Sequence, residues 1–260
     1  MANLSALTAL LVYFGWRRSK TQAQALGIDE SLFSMTTQEY VLRSVGPVFG
    51  LLALLGVAGF AWLWIDHGIT RMIGGRPHAV RWLSRILATV WPIPLTLAYV
   101  AAFRWSAQGY VAFPLSIAAG LLLLLYRAHL NREYTGREQS HYDLLRGLIA
   151  LGTAACLFWS ASNYAEVQGD SLARDFADQL SGQVGVVVYS TNPLHIDAPG
   201  VRTEVVGPDQ TAFRYRYSGL RMMDRRGGKY FLVPADWTLT RGVVIVLPDD
   251  NRIRLEFVRS

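Results

Sequence analysis

The chain has 260 residues, 52% hydrophobic and 17% charged, below the roughly 25% charge usual for soluble domains. Its net charge of +6 arises before residue 166, where 13 Arg and Lys stand against 7 Asp and Glu; the rest carries 12 of each. Basic residues beside long apolar runs point to anionic lipid headgroups and away from nucleic acid. The single cysteine, Cys156, excludes an intrachain disulfide and a CxxC metal or redox site.

The first apolar run, residues 4–16, is short of a bilayer core at about 20 Å as a helix. Arg17, Arg18 and Lys20 follow it. It lacks a basic n-region and a small-x-small cleavage pattern, so a short or tilted first helix that stays attached is expected. Residues 27–33 then mix acidic and apolar side chains, as a segment would that packs on the C-terminal part or lies at a lipid surface. Leu32 and Phe33 are its candidates for a partner surface. Thr36-Thr37-Gln38-Glu39 has the form of a capping box, with Thr36 as N-cap and Glu39 at N3.

Four longer runs cover residues 45–65, 86–103, 110–126 and 147–165, each near the roughly 20 residues that cross a hydrocarbon core. Trp62, Trp64, Trp105, Tyr110, Tyr126 and Tyr164 lie near their ends, at headgroup level. Pro47, Pro92, Pro94 and Pro114 predict kinks, with Trp91-Pro92-Ile93-Pro94 the strongest interruption. None of the four contains Asp, Glu, Lys, Arg or His, which argues against an ion-coupled transporter. Thr96, Ser116, Thr153, Ser160 and Asn163 are the polar groups available to link helices.

Two connecting loops are arginine-rich: Arg71, Arg76, Arg81 and Arg85 in one, Arg127, Arg132, Arg137 and Arg146 in the other. The loop between them has only Arg104. Placing the arginine-rich loops in the cytoplasm puts the C-terminal part outside, although Arg17, Arg18, Lys20 and Arg43 then also lie outside. Arg71, Arg76, Arg81, Arg85, Arg127, Arg132 and Arg137 are the candidate contacts to anionic lipid. Four crossings separate residues 17–44 from the C-terminal part under either orientation, so the two share a side and can touch.

Residues 166–260 are expected to form one small soluble domain. A helix capped by Asp170 or Ser171 would present Leu172, Phe176 and Leu180 on one face and stop at Gly182. Strands are expected over 184–190 and 213–217, the second alternating Arg214 and Arg216 with aromatic residues. Two hairpins are predicted, one turning at Arg225-Arg226-Gly227-Gly228 and one joining 243–247 to 252–258 through Pro248-Asp249-Asp250-Asn251. The expected fold class is a membrane all-α transmembrane bundle, 1–165, of four helices plus a short one. A small α+β soluble domain with a mostly antiparallel sheet follows, 166–260.

The stretches YFGW (13–16), GIDESLFSMTTQEYVLRS (27–44), YRYSGLR (215–221), GGKYFLVP (227–234) and VLPDDNRIRLEF (246–257) resemble a group of actinobacterial multipass membrane proteins with a C-terminal soluble domain. That group has no assigned activity. The resemblance therefore implies the architecture and no catalytic residue.

Reactive constellations are few. His129 and Glu133, and Glu138 and His141, have ligand-like helical spacing, but Arg127, Arg132 and Arg137 crowd the same loop and repel a cation. Asp249 and Asp250 read as turn chemistry, His195 as a loop residue, and the Arg214–Arg216 strand as a solvated sheet face or a partner surface. GxSxG, GxGxxG, Walker A, HExxH and EF-hand patterns are missing. No cofactor or metal is expected. The leading expectation is a non-enzymatic scaffold, sensor or accessory subunit that binds the bilayer and a protein partner or further copies of itself. An oligomeric pore or membrane-permeabilising effector is the alternative, and an enzyme acting on lipid or cell-wall intermediates comes third.

Overall fold

The structure is a computed structural model and describes residues 2–73, 82, 85–87, 89–90, 92–104, 106–135, 142–207 and 212–259. Five helices of ten or more residues are described: α1 (Ala2–Ala25), α2 (Thr37–Ile73), α3 (Ile93–Arg104), α4 (Ser106–Thr135) and α5 (Tyr142–Asp178). Six strands follow: β1 (Gly185–Ser190), β2 (Arg202–Val205), β3 (Tyr215–Arg226), β4 (Lys229–Pro234), β5 (Ile245–Pro248) and β6 (Ile253–Val258). By compactness the chain divides into residues 1–44 with 168–260, and residues 45–167. Residues 1–44, grouped by sequence with the apolar helices, thus belong with the sheet.

Among the described residues three helical segments are long and apolar enough to cross a membrane: Thr37–Gly68, Ala107–Leu130 and Tyr142–Asp178. They contain the expected spans 45–65, 110–126 and 147–165. The expected span 86–103 is described in part. Residues 85–87 and 89–90 are helical, Pro92 sits in a turn, and α3 begins at Ile93 with Pro94 in its first turn. A proline there forfeits no intrahelical bond, so Pro94 suits the first turn of α3, and Trp91 of the expected interruption lies outside the described residues.

The first helix is longer than its apolar run. α1 continues through Arg17, Arg18 and Lys20 to Ala25, about 36 Å in all, because no breaker occurs between Trp16 and Gly27. Its second half is polar, and α1 is not among the three membrane-length apolar segments. α2 starts where the capping box puts it. The Thr36 N–H donates to Glu39 Oε2 at 2.6 Å, and the Glu39 N–H to Thr36 Oγ1 at 3.4 Å.

No helix starts at Asp170 or Ser171. α5 runs unbroken from Tyr142 to Asp178, with Ser171 Oγ turned back onto the Gln168 carbonyl and Asp170 paired with Arg174 one turn on. The capping residue types are present, but nothing interrupts the helix before them.

In residues 45–167, α4 carries Pro114 in its interior, fully buried. A proline removes the N–H that would reach the carbonyl four residues back and crowds that turn. The carbonyl left over is that of Tyr110, and α5 supplies its donor. Asn163 Nδ2 donates to the Tyr110 carbonyl at 2.6 Å and Ser160 Oγ to the Val111 carbonyl at 3.1 Å. Both side chains are buried one turn apart on α5. Tyr126 OH donates to Asp66 Oδ1 at 2.9 Å while its ring meets Trp62 edge-on at 4.9 Å, tying α4 to α2. Thr96 and Ser116 instead return their hydroxyls to carbonyls of their own helices.

Every strand pairing is antiparallel, in the order β5-β4-β3-β1-β6, with β2 alongside the first half of β3. The β3–β4 hairpin is the predicted one, turning through Gly227 and Gly228 at φ +53° and +67°, which suits a two-residue type I′ connection. The second predicted hairpin does not form. β5 pairs with β4 and β6 with β1, so the Pro-Asp-Asp-Asn turn joins opposite edges of the sheet. The five Cα–Cα steps from Pro248 to Ile253 reach about 17 Å, whereas in a flat sheet the two ends lie at least four interstrand steps, about 19 Å, apart and are offset along β3 from the level of Arg226 to that of Tyr215. The sheet therefore coils, helped by register shifts at 186/188 of β1 and 222/224 of β3.

That coil produces two cores. Val186, Val188, Tyr217, Leu220, Leu232 and Leu247 fill its inner face. Phe231 and Val233, on the other face of β4, pack against Ala23, Leu26, Ile28, Phe33, Ala173 and Leu180. β4 is buried on both sides, as its sequence KYFLVP suits.

Candidate functional site

The outer core is closed by the segment between α1 and α2. α1 ends in a Schellman motif: Ile28 N–H donates to the Ala23 carbonyl at 2.9 Å and Gly27 N–H to the Gln24 carbonyl at 3.1 Å, with Gly27 at φ +77°. The motif turns Ile28 into the core against Ala23. Asp29 then caps a short 3₁₀ turn, Glu30–Phe33, by accepting the Ser31 N–H at 2.8 Å. Those bonds hold the Asp29 carboxyl below its usual value of 3.8. The turn sends neighbouring side chains opposite ways: Leu32 is 37% exposed and Phe33 4%.

Phe33 sits in an aromatic and cationic clasp built by the β3–β4 hairpin. The Phe231 ring lies 5.0 Å from it and the Arg226 guanidinium stands 5.2 Å over it. Arg226 is fixed by an ion pair to Asp224 at 2.8 Å and donates to Met35 Sδ at 3.6 Å. A Cβ on Gly227 would lie 3.1 Å from both the Phe33 carbonyl oxygen and Ser34 Cβ, so the turn seats directly on the segment.

Behind the clasp, α1 is wedged between the start of α2 and the end of α5. A Cβ on Gly15 would lie 1.8 Å from the Tyr40 carbonyl oxygen, and one on Gly169 2.4 Å from that of Arg18. Small residues admit this backbone approach, and polar groups lock it. Arg18 Nη1 donates to the Arg43 carbonyl at 2.7 Å. Arg43 Nη1 donates to Ser19 Oγ at 3.1 Å and Gln22 Oε1 at 3.2 Å. Tyr40 OH donates to Glu30.

Of the expected partner surface, Phe33 must be removed: its packing against Phe231 makes it core. Leu32 remains exposed. Arg214 lies 5.8 Å over the Tyr215 ring, and Arg216 is paired with Glu204 at 2.7 Å across β2 and β3. The Glu204 carboxylate holds the Arg216 guanidinium above its usual value.

Of the expected lipid contacts, Arg71 is exposed in the last turn of α2, Arg85 is exposed and Arg127 is half-buried on α4. Arg132 is part of α4, and Arg76, Arg81 and Arg137 lie outside the described residues. His129 is exposed on α4, while Glu138 and His141 also lie outside the described residues.

Asp249 and Asp250 serve the turn. Asp249 pairs with Arg225 at 2.5 Å, and Asp250 Oδ1 accepts the Arg252 N–H at 2.9 Å. His195 lies in the loop after β1. Among the described residues no three His, Cys, Asp or Glu side chains converge as a metal set.

The chain matches no family model, no curated protein and no solved structure. The clasp and the α1 wedge brace the domain. What they do is couple: one core receives side chains from α1, from the segment entering α2, from α5 and from the sheet.

Proposed function

We propose that this chain is a multipass cell-membrane protein acting as a non-enzymatic scaffold, sensor or accessory subunit. Its sheet domain lies on the extracytoplasmic side and binds a protein partner. The observation that carries this reading is the Phe33 clasp. A partner that moves the β3–β4 hairpin also moves Phe33, and through it the segment joining α1 to α2, while Ala173 and Phe176 tie α5 to the same core.

The membrane part of the reading is supported by the three apolar helices and by the exposed Phe49, Leu52, Phe60 and Leu63 along α2, side chains that suit lipid tails. Its orientation follows the arginine-rich loops, which place Arg71, Arg85 and Arg127 at anionic inner-leaflet lipid. Leu32, Arg214 and Arg216 are the partner-facing residues. The stretches that resemble the actinobacterial group, 13–16, 27–44, 215–221, 227–234 and 246–257, all fall in the sheet-bearing unit. The resemblance thus draws attention to the same place.

The test uses the full chain, tagged and purified in detergent, to capture proteins from a cell-envelope extract. The reading expects a specific partner that is lost with Leu32→Glu and retained with Leu239→Glu. Leu239 is equally exposed and lies in the Thr238–Arg241 turn, outside the 27–33 segment. Capture that ignores both changes, or a folded chain that captures nothing, would count against it.

A further inference from the structure

β6 ends the sheet on one side, and its sequence complements itself. The Thr191 N–H donates to the Arg252 carbonyl at 3.2 Å, and β1 pairs with β6 from Ser190↔Ile253 to Gly185↔Val258. Antiparallel ladders alternate, so Arg252, Arg254, Glu256 and Val258 turn their backbone groups toward β1. Ile253, Leu255 and Phe257 turn theirs outward. Among the described residues no strand pairs with that outer side. Phe257, inward-facing by alternation with Ile253 and Leu255, is nonetheless 59% exposed.

An antiparallel strand laid on this edge must pair its own outward-facing residues with Ile253, Leu255 and Phe257. A second copy of β6 does so about a twofold axis at Leu255. Leu255 then meets Leu255, Ile253 meets Phe257, and Arg254 meets Glu256 twice, in the close pairs where side chains interact most strongly. Moving the axis keeps the hydrogen-bond parity but is worse in charge: at Arg254 it sets Arg254 opposite itself between two Arg252–Glu256 pairs, and at Glu256 it sets Glu256 opposite itself and leaves Arg254 facing Val258. Within one copy Arg254 and Glu256 already lie 3.0 Å apart, both largely exposed. The charge pattern therefore selects one register out of those the backbone allows.

We infer that β6 is a homotypic edge: two copies of this chain join β6 to β6, antiparallel about Leu255, and continue one sheet across both. The inference does not rest on the scaffold reading or on membrane insertion. It rests on strand parity, an open edge and self-complementary charge.

The test is a charge swap on the full chain in detergent, read by light scattering over a concentration series. The wild-type chain is expected to dimerise. Arg254→Glu alone and Glu256→Arg alone each turn two attractive pairs into repulsive ones, raising the dimer dissociation constant about tenfold or more. An equimolar mixture of the two variants should dimerise again as a heterodimer, because every cross-strand pair becomes attractive. The double variant Arg254→Glu/Glu256→Arg should dimerise by itself. Circular dichroism of the monomeric variants separates lost pairing from lost folding. A wild-type chain monomeric at every concentration would overturn the inference and leave the charges as guards of a bare edge. So would a dimer indifferent to the swaps, or one that neither the mixture nor the double variant restores.

Discussion

Pro114 and Asn163 complete each other across α4 and α5. The proline withdraws the donor due to the Tyr110 carbonyl, and the asparagine amide supplies one at 2.6 Å from the neighbouring helix. Ser160 Oγ donates to the next carbonyl, that of Val111, at 3.1 Å. A kink-prone position thereby becomes a helix-helix joint, with its polar atoms satisfied inside an apolar layer.

That relationship predicts a coupling. Asn163→Leu leaves the Tyr110 carbonyl without its α5 donor and should destabilise the chain by about 1–3 kcal/mol. In a Pro114→Ala background the Tyr110 carbonyl regains an intrahelical donor, so the same change should cost about 1 kcal/mol less. Thermal unfolding of the four proteins in detergent measures the cycle, and strict additivity would show that the two residues act separately.

Phe33 and Leu32 are neighbours with opposite fates. Phe33→Ala removes a buried ring from between Phe231 and Arg226 and should lower stability by about 3–5 kcal/mol. Leu32→Ala, on the exposed side of the same turn, should stay within about 0.5 kcal/mol of wild type. Limited proteolysis provides an independent reading: the Phe33 variant should become cleavable between Gly27 and Met35, and the Leu32 variant should not.

Glycines that look alike in sequence should respond differently. Gly169→Ala drives a Cβ to 2.4 Å from the Arg18 carbonyl oxygen and must push α1 off α5, at a cost of about 1–3 kcal/mol or more. Gly56→Ala meets nothing within 4 Å on α2 and should gain up to about 1 kcal/mol of helix propensity. Melting temperatures moving in opposite directions would confirm the close approach, and equal shifts would refute it.

Asp29 gives the 27–33 turn a pH dependence. Its carboxyl is held below the usual 3.8 by the Ser31 bonds, so the folded state favours the ionised form. The contribution is complete above the ordinary carboxylate range and disappears as pH falls through the lowered value. The melting-temperature gap between wild type and Asp29→Ala should therefore be present at pH 5 and closed in strong acid. Asp29→Asn, which still caps, should show little gap at either pH.

What the sequence made legible was local. The Thr36–Glu39 box and the Gly227-Gly228 turn are specified by residues within four positions of each other, and both form as read. The partner of β6 is not a local property. Pro-Asp-Asp-Asn specifies a turn equally well whether the next strand folds back on the last or crosses a coiled sheet to β1. Asp170 and Ser171 have the chemistry of a cap, but a cap needs a break before it, and α5 has none.

That residues 27–33 pack on the C-terminal part was one of two readings of their polar-apolar mixture, and the core bears it out; which side chains enter it, Ile28 and Phe33 and not Leu32, follows only once Gly27 is seen as the end of a Schellman motif. The α4–α5 joint did leave a signal. Pro114 implies an orphan carbonyl, and Ser160 and Asn163 are two polar residues one turn apart in the last apolar run. Only their alignment across two helices needed the structure.

The most direct test of the account asks whether the 27–36 segment and the sheet occupy one side of a membrane, as a shared core requires. In a Cys156→Ala background, single cysteines at Leu32, Leu239 and Gly136 are treated with a membrane-impermeant maleimide in intact cells. The account predicts labelling of the Leu32→Cys and Leu239→Cys variants from outside, and of the Gly136→Cys variant only after permeabilisation. Labelling of Leu32→Cys from one side and Leu239→Cys from the other would contradict it, since no common core can form across a bilayer.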